Sequence, residues 1–256
     1  MVSSVSLIAM VFTLIISFGL PIGLAFYFYR KEGISLVAVL VGALVFVVSQ
    51  VLLRIPLLNY LSTMAWYQQL AGNLILIALF LSVTAGLFEE TGRFLGFKYF
   101  LKRHLSWKNG IAFGIGHGGI EAILLTGFTY INNLIYSIMI NGGTFDQLLA
   151  PQLGPEMAAF FKEQLIISPP SLFAVAGLER SFTMVIHIAL SLVVLLAVIR
   201  GKPVYLVYAI LLHTLVNFPA VMIPGLGFSF WYAELYLLLL ALWGYTFIVR
   251  SKKQFF

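Results

Sequence analysis

Long apolar runs separated by short polar or basic connectors make up most of the chain. Seven of them, at about residues 5–29, 34–53, 73–101, 110–140, 177–199, 204–222 and 229–249, are long enough to cross a bilayer. In lipid every backbone N–H and C=O must be satisfied within the segment, so these runs predict helices and an all-α, polytopic membrane bundle. No basic residue precedes the first run and no small-residue cleavage site follows it, so it reads as a retained helix, with Pro21 and Gly23 marking a kink. Arg54 opens a less apolar stretch, 54–72, whose Trp66, Gln68 and Gln69 suit an interfacial connector at the headgroup level. The longest loop is 141–176. No repeat, low-complexity tract or linker breaks the series. Residues 1–256 therefore read as one transmembrane bundle, with a core of polar intramembrane residues over about 73–222.

Composition sharpens this class. Hydrophobic residues are 61% of the 256 and charged residues 9%, against about 25% charged in a soluble domain. The basic residues follow the connectors. Arg30 and Lys31, then Lys102, Arg103 and Lys108, then Arg200 and Lys202, and finally Arg250, Lys252 and Lys253 alternate with connectors that carry Arg54, Lys162 or none. This alternation places the N-terminus outside and the C-terminus in the cytoplasm. The net charge of +6 then reflects membrane topology, not affinity for nucleic acid. There is no cysteine, which excludes a thiol nucleophile, a disulfide scaffold and thiolate metal ligands.

The ionisable residues inside the spans carry the candidate chemistry, because each charge there costs about 2.5–3.5 kcal/mol on insertion scales. In the third span stands Glu89-Glu90-Thr91-Gly92-Arg93. On a helix Arg93 lies four residues after Glu89 and three after Glu90, so its guanidinium reaches either carboxylate. It balances one charge and leaves the other carboxylate as a candidate general base; the alternative is a structural ion pair at a helix end. In the fourth span Phe113, His117 and Glu121 recur every four residues, which places His117 and Glu121 on one stripe facing the bundle. Gly114 and Gly118 there form a small-xxx-small pair that serves helix packing. His213 and Asn217 in the sixth span are one turn apart and read as a donor surface for an oxyanion. His187, seven residues after Arg180 and four before Ser191, is either a packing residue or a member of the site. Glu179 and Arg180 read as a cap or a loop ion pair.

The set Glu89-Glu90-x-x-Arg93, Phe113-x-x-x-His117 and His213-x-x-x-Asn217, in that order on separate spans, resembles the CAAX-prenyl-protease and bacteriocin-processing superfamily of intramembrane proteases. Gly116-His117-Gly-Gly-Ile-Glu121 and the span bearing His187 look most like its YhfC-type branch, which is related to the PrsW proteases. The resemblance covers roughly residues 88–217. It implies a glutamate-based, metal-assisted or metal-free peptidase in a bacterial cell membrane. Glu89 or Glu90 would activate water with His117, while His213 and Asn217 would hold the oxyanion. One spacing departs: the prenyl-protease pattern has three residues between the second Glu and the Arg, whereas here only Thr91 and Gly92 intervene. The role of Arg93 and the choice of base stay open at this point.

Other protease classes fail by residue type. The only aspartate is Asp146, in a loop, which excludes an intramembrane aspartyl pair. His-Glu-x-x-His and Gly-x-Ser-x-Gly are both absent. A lysine in the seventh span, which a retinal protein needs, is also missing. His117, His187 and His213 with a glutamate would supply a zinc sphere, yet glutamate-activated water needs no metal, and the expectation is that none is required. The expected function is therefore hydrolysis of peptide bonds in membrane-associated peptides or proteins, by Glu89, Glu90, Arg93, His117, Glu121, His213 and Asn217. The alternatives are a proton-coupled transporter or channel using the same residues as a relay, and a catalytically silent membrane scaffold.

Overall fold

The computed structural model describes residues 1–255, and among them it is all-helical. The apolar runs become seven helices long and apolar enough to span a membrane: α1 (Ser4–Glu32), α2 (Leu36–Leu61), α4 (Leu74–Phe100), α5 (Trp107–Asn141), α9 (Pro170–Arg200), α10 (Val204–Gly225) and α11 (Phe230–Phe255). Short helices occupy the connectors: α3 (Ala65–Ala71), α6 (Phe145–Leu148), α7 (Ala150–Leu153) and α8 (Pro155–Ile167). The chain is an integral multi-pass membrane protein. Helix starts follow local chemistry. Asn73 caps α4, its Oδ1 accepting from the N–H groups of Ile75 at 3.0 Å and Leu76 at 3.1 Å. π-helical turns at Ile15–Gly19 and Val47–Arg54 lie just before Pro21 and Pro56, which have no N–H to give the helix ladder.

One boundary differs from the sequence expectation. The helix does not end at Leu53; α2 continues past Arg54 to Leu61, and the Arg54 guanidinium bonds the Leu81 carbonyl of α4 at 2.7 Å. A long basic side chain inside a span is tolerated when its head finds a partner there. Loop 141–176 likewise is largely helical.

The chain divides into two compact units, residues 1–20 with 121–181 and residues 21–120 with 182–256. The first packs Met10, Tyr130, Leu165 and Phe173 into an apolar core. Polar ties hold its ends. The Val2 N–H donates to Asn141 Oδ1 at 2.7 Å, Asn141 Nδ2 returns a bond to the Val2 carbonyl at 2.9 Å, and the Thr13 hydroxyl donates to the Phe173 carbonyl at 2.6 Å.

In the second unit, glycines set how closely the helices approach. Gly110, Gly114 and Gly118 of α5 lie against Leu192, the Ile188 backbone and His187 of α9. A Cβ at Gly116 would fall 1.8 Å from the Val39 carbonyl oxygen of α2, and one at Gly42 of α2 would fall 2.1 Å from the Phe113 carbonyl oxygen of α5. Helix α5 is thus held at backbone contact with α2 on one side and α9 on the other. Gly86 brings α4 to the Ile210 carbonyl of α10 in the same way. With no hydrophobic driving force between helices in lipid, such contacts supply the packing energy. Gly42→Ala and Gly116→Ala are each expected to destabilise the fold by about 1–3 kcal/mol through overpacking. Gly23→Ala, where a Cβ meets nothing within 4 Å, is expected to be harmless. Thermal unfolding of the three purified variants checks this.

Candidate active site

Four helices of the second unit bring ionisable side chains to one place. Glu89, Glu90 and Arg93 come from α4, His117 from α5, His187 and Ser191 from α9, and His213 from α10; all are buried, Glu90, Arg93 and His117 completely. At the centre is the guanidinium of Arg93. Its Nη1 donates to Ser191 Oγ at 2.6 Å and the His187 carbonyl at 3.1 Å, and its Nη2 donates to His187 Nδ1 at 2.7 Å. Nε lies 3.2 Å from Glu90 Oε2, and Nη2 lies 3.6 Å from Glu89 Oε2. One cation therefore serves both carboxylates and ties α4 to α9.

The carboxylates engage the remaining imidazoles. His117 Nε2 lies 2.9 Å from Glu89 Oε2, and His213 Nδ1 lies 2.6 Å from Glu90 Oε1. The free side of the His213 ring, Nε2, is 3.8 Å from Glu89 Oε1. The partners fix the hydrogens, since arginine only donates and an ionised carboxylate only accepts. A neutral His187 then accepts at Nδ1 and carries its hydrogen on Nε2. A neutral His117 carries its hydrogen on Nε2, toward Glu89. A neutral His213 gives its Nδ1 hydrogen to Glu90 and turns a lone pair toward Glu89. Around these rings the wall is aromatic: Phe46 meets His117 edge-on at 5.3 Å between centroids and Phe113 lies parallel to it at 6.3 Å. Phe113, four residues before His117, thus lines the site.

The structure brings together Glu89, Glu90, Arg93, His117 and His213 from the sequence-derived set, and it adds His187. Asn217 follows His213 by one turn on α10 and is half-buried. Glu121 is bound by an arginine of its own unit. It belongs to the first unit, where Arg180 Nη1 bonds its Oε1 at 2.9 Å while Nη2 bonds Glu179. Sequence reasoning passed over Gln50, whose Nε2 donates to Glu89 Oε1, and read Arg54 as the start of a connector where the helix continues. A signal was present: Gln50 and Arg54 are one turn apart in an otherwise apolar segment.

Glu89, His117 and His187 each offer one ligand atom, all within 4.8 Å of one another. A carboxylate with two imidazoles is the donor set of several catalytic zinc sites, in which each ligand lies about 2.0–2.2 Å from the ion. In donor type and spacing, the residues fit a divalent metal.

The fold and this centre define a class: a multi-pass membrane protein with a buried carboxylate–imidazole–guanidinium cluster. Comparison with known proteins narrows the class. The family model described as YhfC intramembrane metalloprotease matches residues 16–237, and the chain belongs to that family. The "Uncharacterized membrane protein YhfC" of Bacillus subtilis (strain 168) is 38% identical over 257 residues, covering 100% of both chains. No solved structure matches.

Removing the shared cation leaves two buried carboxylates unbalanced. Arg93→Met is expected to destabilise the protein by about 3–5 kcal/mol, the usual consequence of breaking a buried pair. Adding Glu89→Gln and Glu90→Gln should restore a large part of the loss. Unfolding midpoints of the single and triple variants measure both effects.

Proposed function

We propose that the chain is an intramembrane endopeptidase that hydrolyses peptide bonds of membrane-associated substrates with a glutamate-activated water. The observation that carries this reading is the convergence of two carboxylates and three imidazoles on one buried arginine. Such a cluster is costly in lipid, and general acid–base chemistry on a peptide bond is a function that needs it.

In this reading Glu89 is the base. Glu90 is held by Arg93 Nε and by His213 Nδ1, so it orients the imidazole much as the aspartate of a catalytic triad does. Glu89 faces both His117 and the lone pair of His213. A water donating one hydrogen to Glu89 Oε1 and the other to His213 Nε2 turns its own lone pair toward a scissile carbonyl. As its oxygen attacks the carbonyl carbon, the proton passes to Glu89 and the carbonyl π electrons move onto oxygen. Collapse of the tetrahedral species breaks the C–N bond, and Glu89 returns the proton to the leaving amine. The Asn217 amide, one turn after His213 on α10, is assigned to the oxyanion, where one such donor is worth about 2.7–4 kcal/mol. His117 holds Glu89 through its Nε2 hydrogen.

The family description adds a metal to this picture. Glu89, His117 and His187 would hold it, and a bound divalent ion would supply Lewis acidity and a more acidic water. Our reading keeps Glu89 as the base and expects cleavage to survive exhaustive chelation. Loss of cleavage restored by zinc would reassign Glu89 as a ligand and pass the base to Glu90.

The primary test is proteolysis of a broad mixture of membrane peptides by the reconstituted protein. Glu89→Ala is expected to lower kcat by about 10²–10⁴-fold, and Asn217→Ala by about 10²–10³-fold. Full activity in a Glu89→Ala/Glu90→Ala double variant would end the peptidase reading.

A further inference from the structure

We infer that Gln50 and Arg54 of α2 form a donor relay that positions Glu89, an assignment that rests on the peptidase reading above. Arg54 Nη1 donates to Gln50 Oε1 at 3.1 Å, while its Nη2 and Nε anchor on the Leu81 carbonyl at 2.7 Å and on Thr84 Oγ1 at 3.2 Å, both on α4. Arginine has no acceptor, so the Gln50 atom facing it is the amide oxygen. The amide nitrogen of Gln50 must then point the other way, and it donates to Glu89 Oε1. The orientation of the amide, which the similar shapes of its N and O leave undetermined, is settled by the chemistry of its neighbour.

The relay has two consequences for Glu89. Its carboxylate is gripped from two sides, by Gln50 on Oε1 and by His117 on Oε2, which fixes the plane in which it meets a water. It is also connected to a second arginine through a single amide, so α2 supplies a cationic partner in addition to Arg93 on α4. Gln50 is 5% exposed and Glu89 is 4% exposed, so no solvent competes for these bonds. Gln50 does not touch the reacting atoms; it is a positioning residue, and Arg54 acts through it.

A role confined to clamping α2 against α4 makes a different prediction, and Gln50→Glu separates the two. This substitution keeps the shape and keeps an oxygen for Arg54, but it turns a second acceptor of like charge toward Glu89. The relay predicts that Gln50→Glu lowers kcat on the order of 10²-fold, as a misplaced catalytic group does, with KM little changed. It also predicts that Gln50→Leu is no worse, and that Arg54→Met adds no further loss of kcat in the Gln50→Leu background. A clamp predicts that Gln50→Glu is close to wild type and that the Arg54→Met loss persists without Gln50. A second measurement does not depend on turnover: Gln50→Glu should lower the unfolding midpoint of the wild-type protein and leave it unchanged in a Glu89→Gln background, where the new amide donates in place of Gln50. Equal midpoints and equal kcat for wild type and Gln50→Glu would overturn the relay. If Glu89→Gln itself cleaves at the wild-type rate, the assignment of Glu89 as the base falls, and the midpoints alone still decide whether Gln50 donates to Glu89.

Discussion

A single guanidinium, that of Arg93, has to balance two adjacent carboxylates in the buried interior. Nε and Nη2 face Glu90 and Glu89, and the outer edge of the group spends its hydrogens on the backbone and side chains of α9. Taking ions out of water is expensive, and attraction compensates only when the remaining donors and acceptors are also matched. Arginine meets this demand through a rigid fork of five donors, which a lysine ammonium does not have. The fork is also what selects the hydrogen positions on His187. The centre contains two carboxylates, and the protein brings two arginines to them, Arg93 directly and Arg54 through Gln50. With neutral imidazoles the formal charges of these four side chains balance, a condition for stability in a low-dielectric interior.

The cluster depends on helix packing as much as on charge. His117 reaches Glu89 because α5 lies at backbone contact with its neighbours, and that contact exists because Gly42, Gly114 and Gly116 carry no Cβ. The sequence reading of Gly114 as a packing residue and of His117 as a site residue are two parts of one arrangement. A Cβ at Gly118 would fall 3.1 Å from the Cβ of His187, so the close approach also seats an imidazole of the site.

How far the sequence revealed this structure follows from what each residue costs. The spans were legible because a bilayer imposes length and apolarity, and the helix bounds move by only a few residues at most ends. Glu89, Glu90, Arg93, His117 and His213 stood out because ionisable groups in apolar runs are expensive and need partners. Partner choice was not legible. Periodicity placed Glu121 and His117 on one stripe, but it carries no information on which side chain lies opposite each turn, such as the Arg180 guanidinium that bonds Glu121. His187 read as neutral between packing and site for the same reason: its spacing to Arg180 was visible, while its bond to Arg93, 94 residues earlier, was not. Gln50 was missed because an uncharged amide near the end of an apolar run matches the headgroup level equally well. Arg54 read as the boundary that made it so.

The shortened spacing between Glu90 and Arg93 now has a physical account. With two intervening residues the arginine is i+3 from Glu90 and i+4 from Glu89, and both offsets lie on one face of a helix. With three intervening residues it would be i+4 from the second carboxylate and i+5 from the first, and the first would turn out of its reach. The shorter interval therefore lets one arginine serve both glutamates, at 3.2 Å and 3.6 Å. The unequal distances leave Glu90 as the more tightly bound of the two. Glu89 then takes its remaining hydrogen bonds from α2 and α5, through Gln50 and His117. Its carboxylate is consequently held by three helices where that of Glu90 is held by α4 and α10, and any change in how α2 or α5 packs is transmitted to Glu89 first.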